Sequence, residues 1–154
     1  MKPKSDAELQ KLVERYLHLA IEMSRAEGRQ DVAGYNRHAT KHFAVGNQIE
    51  QLGEAGRRAL ETLVNHESAQ VRLLSAHQVL KWNPAKAAPV LGNLMAVDPL
   101  SGLNGYQRFS IRTTASAMLR IHFKVRPYDG TELIEPMRAY GFEIPESFFL
   151  TDLR

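Results

Sequence analysis

The chain predicts an all-α fold, a HEAT/armadillo-like stack of antiparallel helical hairpins with about six to seven helices, and three observations carry that expectation. Val71-Arg72-Leu73-Leu74-Ser75-Ala76 and Ile111-Arg112-Thr113-Thr114-Ala115-Ser116 read alike forty residues apart. Each opens with a β-branched apolar residue and an arginine and places small residues four and five positions on, and a period near forty belongs to stacked helical hairpins. Apolar residues recur at helical spacing along most of the chain, and no period-two alternation persists long enough to build a sheet.

The elements follow in order. Ser5-Asp6-Ala7-Glu8 has the form of a capping box, and Leu9, Leu12, Val13, Tyr16, Leu17, Ala20 and Ile21 continue as one apolar stripe that stops at Glu27-Gly28. Asp31 caps a second helix to about Leu52, with a thinner stripe of Val32, Tyr35, Ala39, Phe43, Gly46 and Ile49. Gly34 and Gly46 each weaken that helix by about 1 kcal/mol relative to alanine, unless Gly46 marks a close helix crossing. Gly53 and Gly56 frame a break. A third helix from Ala55 shows Ala59, Leu60, Leu63 and Val64, and Ser68 caps a fourth with Val71, Leu74, Ser75, Val79 and Leu80. Asn83-Pro84 opens a fifth, with proline at the first helical position where its missing amide costs nothing. Turn formers crowd Asp98 to Gly105 before a sixth helix with Ile111, Thr114, Ala115, Met118, Leu119 and His122 on one face. Beyond Pro127, Thr131 caps a short helix stopped by Gly141, and the apolar end from Phe142 to Leu150 docks on the body or on a neighbour.

This reads as one domain over residues 1–154: an N-terminal helical pair (5–52), two helical repeats (54–124) and an acidic capping segment (127–154). Charge is uneven, at +1 for residues 1–65, +6 for 66–126 and −4 for 127–154. Either the middle carries an electrostatic face or the tail folds back and neutralises it. With no cysteine, disulfides, thiolate metal sites and cysteine nucleophiles are excluded. The N-terminus lacks an apolar signal core and no apolar run nears the roughly 18 residues of a membrane span, so a bacterial cytoplasmic protein is expected.

Catalytic patterns are missing. No serine sits in a glycine-framed elbow, and neither a Walker motif nor GxGxxG occurs. His38 and His42 stand at metal-pair spacing, but Ala39 replaces the glutamate of a hydrolytic zinc helix and no third ligand follows. An exposed polar face is the expectation there, with no metal or cofactor. His66, His77 and His122 read as loop or packing residues. A DNA-glycosylase arrangement would draw on Trp82, Asp98 and the basic middle, yet the chain is short for the groove it needs. Arg72 and Arg112 read first as forks tying successive repeats together, and second as part of a positive surface.

Leu60-x-x-Leu63-Val64-x-His66-x-x-x-x-Val71-Arg72-Leu73-x-x-Ala76, with Tyr35-Asn36-Arg37 upstream, resembles the small bacterial DUF2019 group over about residues 9–122. The resemblance implies a HEAT-like helical fold and brings no activity with it. Residues 127–154 lie outside it. The expected function is therefore a non-enzymatic protein-binding module, such as a bacterial immunity-type inhibitor acting by steric occlusion of its partner. Lys81, Trp82, Lys86, Arg108, Arg120 and Lys124 are the expected partner contacts. The alternative is nucleic-acid binding through the basic 66–126 segment.

Overall fold

Four helices begin where a side chain takes up one of their first free amides, in a computed structural model that describes residues 3–126 and 130–151. Helix α1 spans Pro3–Gly28, α2 Val32–Gln51, α3 Glu54–Leu63, α4 Ala69–Val79, α5 Pro84–Ala96 and α6 Gly105–Phe123. A 3-10 turn at Gly130–Leu133 leads into α7 (Ile134–Ala139) and α8 (Glu146–Thr151), with no strand among the described residues. Asp31 accepts from the Gly34 amide at 2.9 Å, Ser68 from Val71 at 3.4 Å and Asn83 from Lys86 at 3.3 Å. At α6 the cap is reciprocal. Asn104 accepts from the Gln107 amide at 2.9 Å while Gln107 Oε1 accepts from the Asn104 amide at 2.8 Å.

Three expectations are corrected at this level. Eight α-helices are present among the described residues rather than six to seven, because the apolar end after Gly141 adds α8 to the short helix expected before it. Thr131 does not cap a helix but lies inside the 3-10 turn, so α7 starts three residues later. Helix α1 starts at Pro3, upstream of Ser5, whose side chain lies outside the described residues, as do Pro127 to Asp129.

Packing follows chain order, α1 on α2, α3 on α4, α4 on α5 and α5 on α6, which is the order of a hairpin stack. The two look-alike segments occupy matching environments. Val71 and Ile111 are buried, as are Ser75 with Ala115 and Ala76 with Ser116. They differ at Leu73, which is buried, against Thr113, which is exposed. Helix α4 is flanked by both α3 and α5, whereas no full repeat follows α6.

Helix α1 does more than close one end. Its buried face of Tyr16, Leu19, Ala20, Met23 and Ala26 also packs against α4 and α6. Gln107 donates to the Ser24 carbonyl at 2.9 Å, and Asn104 Nδ2 to the Gly28 carbonyl at 3.0 Å, so the start of α6 is tied to the end of α1. The C-terminal segment docks on the body. Leu133, Met137 and Ile144 join the core, and Gly92 in α5 lets Met137 and Phe142 approach, since a Cβ there would lie 2.6 Å from Met137 Cε. Arg126 pairs with Glu132, while Glu135 and Glu143 both pair with Arg138 of their own segment. Those two acids therefore do not reach back to the basic middle.

Candidate functional site

The two repeated arginines are built into the frame. Arg72 Nη1 donates to the carbonyls of His66 and Glu67, both at 2.9 Å, and Nη2 meets the Asp98 carboxylate at 2.9 Å. Arg112 donates to the Leu94 carbonyl at 3.1 Å and to the Asp98 carbonyl at 2.7 Å. Each guanidinium thus satisfies free carbonyls in the last turn of the preceding helix or past its end, and both converge on Asp98, one on its side chain and one on its backbone. This is the repeat-tying role expected from their spacing.

The six expected contact residues do not form one patch. Lys81, at the end of α4, bonds Glu50 of α2 at 2.7 Å, and Trp82 donates its indole N–H to Glu61 of α3 at 2.9 Å. Trp82 packs on the core, so it braces α4 against α3 rather than standing out as an anchor. Nor do Trp82 and Asp98 share a cleft, because Asp98 is taken by Arg72 and by the Leu100 amide at 2.8 Å. Lys86 is exposed in the first turn of α5, Arg108 bonds the Leu103 carbonyl, and Arg120 and Lys124 lie at the far end of α6.

Packing creates a groove of about 520 Å³ between α2, α4 and α6 that sequence reasoning missed. Its apolar lining comes from Met23, Phe43, Leu74 and Met118, with His42, His77 and Lys81 among its polar groups. Phe43, expected on the inward stripe of α2, is instead 72% exposed at this groove. Only the fold brings these residues together, so no local spacing announced them. The expected exposed histidine face is also overturned. His42 is 6% exposed, its ring 4.0 Å from that of buried Tyr16, and His38 is half-buried. The cause is that α1 covers this side of α2. His42 Nε2 and the Tyr16 hydroxyl are both buried without a hydrogen-bond partner. Gln78 of α4 donates to the Gly46 carbonyl of α2 at 2.8 Å, and a Cβ at Gly46 would lie 2.7 Å from Gln78 Oε1. Gly46 therefore leaves room for a side chain reaching over from α4 and does not mark a close crossing of the two helices.

Burial sets the charge state of the groove. It lowers the His42 pKa to about 4 and, helped by the Lys81 ammonium, lowers that of His77. Burial raises the phenols of Tyr16 and Tyr35. Desolvation works against ionised Glu50, but its bonds from Lys81 and Gln78 prevail and hold its pKa low. A histidine depressed in the fold stabilises the protein fully above the unfolded pKa near 6.5, and that stability fades as pH falls toward 4. The titratable groups around His42 are Tyr16 from α1 and, lining the same groove, Tyr35 from α2, His77 from α4 and Lys81 just past the end of α4. Unfolding free energy is expected to fall by up to about 3 kcal/mol between pH 7 and 4.5 through His42. Urea midpoints measured across that window check this, and His42→Phe should flatten most of the slope; an unchanged slope would refute it.

The other side of α6 is open. Phe109 is 69% exposed and Ile121 78%, and with Thr113 and Ala117 they form an i±4 ridge along the helix. Between Asp98 and Asp129 the chain has five Lys/Arg and neither Asp nor Glu. Arg108 and Arg112 bond carbonyl oxygens, which neutralise no charge. Shallow grooves flank the ridge, about 590 Å³ beside Met95, Phe109 and Phe148 and about 610 Å³ beside Ile121, Lys124 and Val125. Among the described residues no cluster of three or more His, Asp or Glu is placed to hold a metal ion, and no helix is long and apolar enough to cross a membrane.

A family model described as "Domain of unknown function (DUF2019)" matches residues 10–118, more than two thirds of the chain. The chain belongs to the DUF2019 family. No curated protein and no solved structure matches it. The DUF2019 match runs from the first turns of α1 to Met118 in α6 and contains every residue lining the α2/α4/α6 groove. It also contains both clasp arginines and Asp98. Ile121 and Lys124 of the outer ridge and the whole C-terminal segment lie beyond the DUF2019 match.

Proposed function

We propose that this chain is a non-enzymatic binding module whose α6 ridge receives an acidic, apolar-faced helix of a protein partner. The observation that carries the reading is the exposure of Phe109 and Ile121 at the two ends of a ridge inside a carboxylate-free stretch. A helix ridge is shaped to enter the groove of another helix, and large exposed apolar side chains gain most from being covered. The exposed Arg108 and Lys124 beside it would steer an acidic partner and fix its register. Protein is favoured over nucleic acid because a phosphate backbone gains nothing from Ile121, and the exposed aromatics Tyr106 and Phe109 make no stacking array. The mode of action would be steric cover by a frame held stiff by Arg72 and Arg112. An immunity-type inhibitor of a toxin is the biological form that suits such a module.

Photocrosslinking residues placed at Phe109 and at Ile121, with Thr62 on α3 as control, test this in producing cells. The expected product is an adduct with an acidic protein from the two α6 positions and none from Thr62. The purified partner should then lose at least about tenfold in affinity with Phe109→Glu or Ile121→Glu, as removal of a central anchor does. Adducts with nucleic acid, or equal adducts from Thr62, would overturn the reading.

A further inference from the structure

We infer that the groove between α2, α4 and α6 is a site for an uncharged, largely apolar small molecule carrying one N–H or O–H group beside His42. The site is separate from the α6 ridge, since Thr114 and Met118 face the groove while Thr113 and Ala117 lie on the ridge side. Its volume of about 520 Å³ lies in the range of small-molecule sites, which combine an apolar lining with a few polar groups that set orientation.

Charge selects the ligand class. No carboxylate lines the groove, and its one ammonium, Lys81, is already held by Glu50 at 2.7 Å. A charged ligand would thus enter an apolar space without a free counter-charge, which is costly. The uncompensated feature is His42. Its ring is more than nine-tenths buried, it lines the groove, and its Nε2 has no partner. A buried polar atom left unpaired costs about 1–3 kcal/mol. With the proton on Nδ1, Nε2 is an acceptor, and a turn of the ring about its Cβ–Cγ bond would bring it to the groove, where a ligand donor supplies the missing bond. Met23 and Met118 provide flexible thioether walls that adapt to a flat ring, and Phe43 at the surface gives it an aromatic cover.

N-phenyl-1-naphthylamine, an uncharged three-ring aromatic amine with one N–H whose emission rises on leaving water, is the probe. Saturable one-to-one binding at micromolar concentration is expected. 1-Benzylnaphthalene, in which a methylene replaces the N–H, should compete about five- to tenfold more weakly, and His42→Phe should remove that difference by weakening the amine alone. Ala39→Trp fills the groove and should abolish binding. Phe43→Ser, at an exposed position that does not test folding, should weaken it several-fold. Absence of saturable binding up to the probe's solubility would overturn the site, as would affinity unmoved by both Ala39→Trp and Phe43→Ser. A dimer in light scattering that Phe43→Ser turns into monomer would overturn it too, by showing a second copy in the groove.

Discussion

Gly56→Ala is expected to destabilise the fold by at least about 4 kcal/mol, although alanine is the better helix former by about 1 kcal/mol. Gly56 lies in the first turn of α3, where that helix presses against the last turn of α2. A Cβ built there would stand 1.8 Å from the Ile49 carbonyl oxygen, which is backbone and itself accepts from the Leu52 amide at 3.1 Å. No rotamer change relieves such a contact, so the α2–α3 hairpin must open. Opening it displaces Ile49 and Leu60, both fully buried. Gly53 supplies the control. It has φ of +82° and ψ of −141°, a conformation almost confined to glycine, but a Cβ at that position would meet nothing within 4 Å, so Gly53→Ala should cost only the backbone strain, about 2–3 kcal/mol. Urea unfolding of both variants separates the causes: steric exclusion at 56, conformation alone at 53. If Gly56→Ala folds with an unchanged midpoint, the close approach of α2 and α3 is wrong.

Local chemistry was legible in the chain; relations between helices were legible only where a repeat reported them. Asp31, Ser68 and Asn83 each cap the helix they precede, because a cap is decided within four residues. Arg72 and Arg112 were readable as clasps because the forty-residue repeat gave the same environment twice. Phe43 and His42 were misplaced for one shared reason. The α2 stripe is thin, and spacing alone did not show that α1 covers the His42 side while Phe43 is left at the groove. The groove itself assembles Met23, Phe43, Leu74 and Met118 from four helices, so no window of sequence contains it. Gln78 and Gln107 look like ordinary surface glutamines, yet both bond carbonyls of distant helices.

Arg72→Ala is expected to cost about 3–4 kcal/mol and to lower the melting temperature by about 10 °C. The side chain is 18% exposed, so the bonds it loses are not readily replaced by water. Its removal leaves Oδ2 of the Asp98 carboxylate and two carbonyls beyond the end of α3 without their donor. Arg112→Ala loses bonds to carbonyls alone and should cost less, about 1–2 kcal/mol. Asp98→Asn keeps an oxygen for Arg72 and for the Leu100 amide and should cost still less. A double-mutant cycle between Arg72→Ala and Asp98→Ala should return a coupling of about 2 kcal/mol. A coupling near zero would mean the pair does not act as a clasp. The consequence reaches the binding surface through one loop. Leu100 is buried with φ of +53°, a conformation unfavourable for leucine, and the Asp98 side chain holds its amide there. That loop delivers Asn104 and Gln107 to α1 and so sets where α6 begins. Loosening Arg72 should therefore weaken partner capture at Phe109 before the molecule unfolds, whereas Lys86→Ala, on an exposed first turn of α5, should leave both stability and capture unchanged.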